Sequence, residues 1–204
     1  VSHPDLSRVT SALPDNLVQV PLARQREDYS CGAAAALSLL RYWRPEAYAS
    51  VDEGALYAEL RTTEAQGTEP EPMAALLRRN GLDAEYRHGD VTVAELQRAV
   101  DARAPPIVDL QAWRDDPGVP WRDVWNAGHY VLMVAYDDER LFFVDPSTMA
   151  PTGYVFLPRG ELDERWHDLA GERNVPVGRM AIFAYGAGPW RPSEPPPRAA
   201  TRLA

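Results

Sequence analysis

A chain of 204 residues that is 45% hydrophobic and 25% charged has the balance of a globular protein with one sizeable core, and one domain is the expected count. Its formal net charge of -9 denies it the basic footprint that nucleic acid or an anionic membrane requires, which leaves a peptide, a protein or a small molecule as partner. No run approaches the roughly 18 apolar residues of a membrane span.

Residues 1–19 read as an N-terminal arm broken by Pro4 and Pro14, ending in a short strand within "NLVQVPL". Helices follow over 30–43, with Ser30 as N-cap, over 52–60, over 72–79 before Asn80-Gly81, and over 92–103. In the last of these Glu95 stands three residues after Thr92, the capping-box spacing. The period then changes: "PPIVDLQAW", "GHYVLMVAYDDERLFFVDP", "GYVFLP" and "RMAIFAYG" are β-branched and aromatic runs bounded by turn residues, the second being two strands joined at Asp137-Asp138-Glu139. Residues 186–204 are proline-dense and aperiodic, the composition of a disordered tail. The expected fold is α+β, a helical lobe against an antiparallel sheet lobe, spanning residues 20–185.

The stretch "QREDYSCGAAAALSLLRYW" holds the only cysteine, at the start of the first helix. A helix N-terminus offers partial positive charge and unpaired backbone N–H groups, so Cys31 is placed to act as a thiolate nucleophile, with Gly32 allowing close approach. His129, after Gly128 at the start of a strong strand, is the candidate base, and Asp145, closing the next strand of that hairpin, the acceptor that sets its tautomer. Gln25, six residues before Cys31, can pair its amide with the Cys31 backbone N–H as an oxyanion hole. Trp113, Trp121 and Trp125 lie in the loop that delivers His129, and with Tyr130 they are the candidates for a peptide cleft, although core packing explains tryptophans equally well. Asp28 reads as a helix-terminus acid, and His167 and Asp168, taken as helix neighbours, point in different directions.

In that order, "QREDYSCGAAA", "GHYV" and "VDPS" resemble the bacteriocin-processing, papain-like cysteine peptidases, which include the double-glycine leader peptidases. The resemblance implies a papain-like fold and a Cys31, His129, Asp145 triad with Gln25 as oxyanion donor, cleaving a peptide bond through a covalent acyl-enzyme. Three other activities stay open on the residues alone. They are acyl transfer or peptide ligation by the same triad, a peptide-binding module without turnover, and a redox sensor, which would need a resolving thiol from elsewhere.

One cysteine and scattered histidines offer no metal site, and no glycine-rich loop joins a strand to a helix, so neither metal nor cofactor is expected. All 21 basic residues are arginines, a bias of GC-rich bacterial coding that carries no mechanism. The chain begins with Val, so an earlier segment removed or left out is compatible with it, and cytoplasmic and secreted placements both stay open. Nothing in the pattern reads out an oligomeric state.

Overall fold

Four consecutive alanines and a leucine-rich run explain the element on which the fold is built. Helix α1 (Cys31–Trp43) buries eleven of its thirteen residues, as only a helix apolar on nearly every face can. Ala33 to Ala36 are fully buried, their small side chains admitting neighbours close to the helix axis, while Leu37, Leu39 and Leu40 each remove enough apolar surface to contribute about 1.5–3 kcal/mol. The computed structural model describes residues 9–147, 150, 152–171 and 173–203; the first eight residues of the predicted arm lie outside these.

After α1 come a single turn, α2 (Pro45–Tyr48), a 3-10 turn over Glu53–Leu56 that runs into α3 (Tyr57–Leu60), and α4 (Pro70–Arg79). The Asp52 carboxylate accepts from the Gly54 backbone N–H at 3.0 Å, capping the 3-10 turn. Helix α4 opens two residues earlier than predicted, with Pro70 in its first turn, where a missing N–H costs nothing. Helix α5 (Val93–Asp101) carries both bonds of the predicted Thr92/Glu95 capping box.

The strands are β1 (Thr10–Ala12), β2 (Asp83–Arg87), β3 (Ile107–Gln111), β4 (Gly128–Tyr136), β5 (Arg140–Val144), β6 (Tyr154–Pro158), β7 (His167–Ala170), β8 (Val175–Gly178), β9 (Ala181–Tyr185) and β10 (Ala199–Arg202), with α6 (Arg159–Arg165) between β6 and β7. Eight form one sheet in the order β1-β10-β6-β5-β4-β3-β9-β2, and β7 and β8 form a separate hairpin. Every pairing is antiparallel except that of β10 with β6. The predicted α+β class holds.

Four details differ from the sequence reading. The helical half contributes β2, whose partner β9 lies about a hundred residues on, a pairing no local pattern announces. The proline-dense tail supplies β10, sandwiched between β1 and β6, so this segment is docked where disorder was expected. In "RWHD" helix α6 ends at Arg165, and His167 and Asp168 open β7 instead of continuing a helix. "NLVQVPL" forms no strand, because its backbone serves a different purpose.

That purpose is a β-bulge. Strand β4 pairs with β5 as Tyr136↔Leu141 and Ala135↔Phe142, then slips by one residue to Met133↔Phe143 and Leu132↔Val144. Val134 is the extra residue, and its carbonyl, lost to the ladder, accepts from the Val18 N–H at 2.8 Å. The slip decides the chemistry at the far end of the hairpin. Residues directly opposite share a face, so the register beyond the bulge puts Asp145 opposite Val131 and on the face of His129; without the bulge Asp145 would oppose Leu132 and point away.

Candidate active site

Cys31 is the first residue of α1, half-buried, with its thiol free. Ser30 stands at the N-cap but does not cap with its side chain: its hydroxyl exchanges hydrogen bonds with the backbone of Glu27, accepting from N–H at 3.1 Å and donating to C=O at 3.0 Å. The N–H groups of the first turn are therefore claimed by no cap hydroxyl. A Cβ on Gly32 would stand 2.7 Å from Cβ of Thr68 and 3.0 Å from Cδ2 of Tyr130, so only glycine lets these two side chains close against the start of the helix.

The His129 ring bonds through Nε2 to Oδ1 of Asp145 at 2.8 Å, with both side chains 2% exposed. The ring also interacts with the Cys31 side chain. Burial works to lower the imidazole pKa, but the charge of Asp145, its hydrogen bond and the contact with Cys31 outweigh that and raise it to about 10. At neutral pH the ring then carries a proton on each nitrogen, one toward carboxylate and one toward sulfur. The Asp145 Oδ1 also accepts from the Ser147 N–H at 2.7 Å, so the turn after β5 orients the carboxylate that orients the imidazole.

A pH dependence of stability follows. The folded value of about 10 exceeds the ordinary 6.5, so the pair's stabilisation is complete below pH 6.5 and is lost as pH rises through 10. The difference in urea midpoint between the wild type and Asp145→Asn should narrow across that window. A difference constant from pH 6.5 to 10 would show that the imidazolium–carboxylate pair does not form.

Gln25 is tied to the segment that carries Asp145: its backbone N–H donates to the Pro146 carbonyl at 3.0 Å, while the neighbouring Arg24 donates to the carbonyls of Ser147 and, at 2.7 Å, Ala150. Its side-chain Nε2 donates to the Glu27 carbonyl at 3.0 Å, and its Oε1 is buried without a partner. A half-turn of the amide exchanges the two ends and carries the N–H donors to the buried side.

The four predicted cleft aromatics separate. Trp113 stacks on the His129 ring, centroids 4.7 Å apart, shielding the His–Asp pair. Tyr130, buried, and Trp125, 38% exposed, line a cavity of about 370 Å³ that opens on Cys31. Trp121 does not line it: buried to 6% exposure, it is sandwiched between the guanidinium groups of Arg114 and Arg165 at 4.4 and 3.4 Å. Arg114 is thus one half of a packing stack on Trp121. His167 bonds no carboxylate among the described residues; its Nε2 bonds the Val124 carbonyl at 2.7 Å and its ring packs at a tilt on Trp125, centroids 4.3 Å apart.

Sequence reasoning missed the acids of this cavity. Asp109, opposite Tyr130 in the β3–β4 ladder, is 4% exposed and hydrogen-bonded to Asp168. Burial first, then the charges of Asp168 and Cys31, push its carboxyl well above the usual range, which favours a proton held between the two acids. Burial raises the Asp168 carboxyl too, partly offset because it accepts from the Leu169 backbone and from Nε2 of Gln111 at 3.1 Å. Gly128 makes room, since a Cβ there would fall 1.9 Å from Oδ2 of Asp168. The available signal was an aspartate inside the otherwise apolar "PPIVDLQAW", where a charge has no place unless it is used.

A helix that presents a thiol to an imidazole and carboxylate held by an antiparallel sheet defines the papain-like fold. The Peptidase_C39-like family model matches residues 17–173, and the chain belongs to that family. Solved structures agree on the fold. A C39-like peptidase from Bacillus anthracis is 18% identical with a TM-score of 0.59, covering 87% of this chain and 99% of its own. The peptidase domain of Streptococcus ComA, a bi-functional ABC transporter of a quorum-sensing pathway, is 17% identical with a TM-score of 0.54, covering 81% and 97%. A double-glycine-motif protease from an AMS/PCAT transporter, in complex with its leader peptide, is 15% identical with a TM-score of 0.53, covering 87% and 98%. No curated protein sequence matches the chain. No helix among the described residues is long and apolar enough to cross a membrane.

Proposed function

We propose that the protein is a cysteine peptidase that cleaves a peptide bond through a Cys31, His129, Asp145 triad. The observation that carries this reading is the 2.8 Å bond between the buried side chains of His129 and Asp145, with the ring interacting with Cys31, the half-buried first residue of α1. The Cys31 sulfur attacks the carbonyl carbon, and the oxyanion is held by the Cys31 backbone N–H and the Gln25 amide after its half-turn. His129 gives its proton to the departing amine; it then takes one from water, whose oxygen attacks the thioester, breaking the C–S bond and returning Cys31 as thiolate beside the protonated ring. Asp145 holds the imidazolium in register throughout. The relative solved with its leader peptide makes a peptide the substrate class to test first.

The test is the rate at which iodoacetamide labels Cys31 between pH 4 and 9, read by intact mass, one thiol making the signal unambiguous. Labelling at pH 6 is expected at more than about ten times the rate of a free cysteine. Labelling that needs alkaline pH or unfolding would leave a packed thiol and overturn the proposal. Gln25→Ala is expected to lower kcat by roughly 10²–10³ with little change in labelling rate, since an oxyanion donor acts on the transition state and not on the resting thiol. A slower labelling rate with unchanged kcat would take Gln25 out of the oxyanion hole.

A further inference from the structure

The cavity that opens on Cys31 is lined by more acidic side chains than a cleft for neutral peptide requires. Asp28, Glu64, Glu69, Asp109 and Asp168 line it, and no arginine does among the described residues. None of the five belongs to a salt bridge among the described residues, in a protein where arginine–carboxylate pairs are common elsewhere on the surface. Glu69 is only partly satisfied, by the Gly171 N–H at 3.1 Å. At the floor Asp109 is more than nine-tenths buried, and its Oδ1 has no hydrogen-bond partner among the described residues.

A buried carboxyl oxygen without a donor costs roughly 1–3 kcal/mol or more, a cost the fold would shed with an asparagine or a valine. Further backbone is committed to keeping the pair in place: Gly128 leaves the space that Asp168 fills, and Gln111 holds Asp168 with one end of its amide while the other accepts from the Ala127 N–H at 2.9 Å.

The geometry points to a subsite for a basic residue: a lysine or arginine of the substrate, next to the scissile bond, seats its cationic head on Asp109 and Asp168 while Cys31 meets the carbonyl. This rests on the peptidase reading and narrows it to peptides with a basic residue beside the cut. A lysine ammonium or arginine guanidinium brings enough donors to bridge both carboxyl groups in place of their shared proton, and the acids at the mouth draw it in. Trp125 and Tyr130 offer apolar surface to the aliphatic stem.

The experiment compares three methanethiosulfonate reagents on Cys31, bearing an ethylammonium, a methyl or an ethylsulfonate group, each rate divided by that for free cysteine and read by intact mass. The ammonium reagent is expected to exceed the neutral one by roughly ten- to hundredfold, the yield of charged hydrogen bonds, and the sulfonate to be slowest. In Asp109→Asn and Asp168→Asn the ammonium-to-neutral ratio should collapse toward one. Asp109→Asn removes a carboxyl held above its usual range and gives Asp168 an amide donor, so it should melt no lower than wild type at pH 8, and misfolding cannot account for the collapse. Fast labelling by all three reagents without charge preference would overturn the subsite and leave the nucleophile standing. A preference that survives both substitutions would overturn the role of the carboxyl pair. Slow labelling by all three would overturn the peptidase reading and the subsite together.

Discussion

Cys31→Ala is expected to abolish hydrolysis of every peptide the wild type cuts, while the folded state stays within about 1 kcal/mol of wild type, equivalent to roughly 2–4 °C in melting temperature for a chain of this size. Both halves come from where the residue sits. As the first residue of α1 it supports the helix only through its place in the first turn, where alanine is the best of helix formers, and its side chain is half-buried at the core's margin. No other thiol exists to substitute for it. Turnover retained by the variant would mean that the reaction does not pass through a thioester, and the acyl-enzyme would have to be abandoned.

His129→Gln is expected to lower kcat/KM by roughly 10⁴ and to slow iodoacetamide labelling of Cys31 at pH 6. Glutamine is chosen because alanine would strand the buried Asp145 carboxylate, a loss of about 3–5 kcal/mol that would confuse catalysis with stability. An amide can still donate to Asp145 but cannot carry a proton between sulfur and the leaving amine. Loss of turnover with labelling unchanged would show that His129 serves only the later proton transfers and not the resting thiolate. Activity within tenfold of wild type would remove it from the triad.

The same positions show how far the residue string could be read. The helix start at Cys31, the Thr92/Glu95 capping box and the strands from β3 to β6 are settled by forces acting within a few residues: alanine's helix preference, a side chain reaching a backbone three positions away, and β-branched runs cut by acidic turns. Cys31, His129 and Asp145 were therefore legible as candidates. That His129 and Asp145 share a face was not, because their separation of sixteen residues is compatible with either face until the bulge at Val134 fixes the register.

The carboxyl pair shows the other limit. Asp109 and Asp168 sit on strands of different sheets, brought together by a hairpin, β7–β8, whose turn chemistry is no stronger than that of many loops. Nothing local distinguishes Asp168 from the solvated acids around it. Its place depends on Gln111 and on the missing side chain of Gly128.

By itself the sequence determined the class of fold, the place of its one cysteine at a helix N-terminus and the chain order of the residues proposed to act with it, since each is written in local propensity and in residue types with few other uses. Only the tertiary structure decided which faces meet, which acids surround the thiol and that the proline-dense tail closes the sheet as β10. Those outcomes rest on hydrogen bonds and close packing between segments far apart in the chain, such as Val18 to Val134, whose cost in loop closure is met only when the whole fold forms.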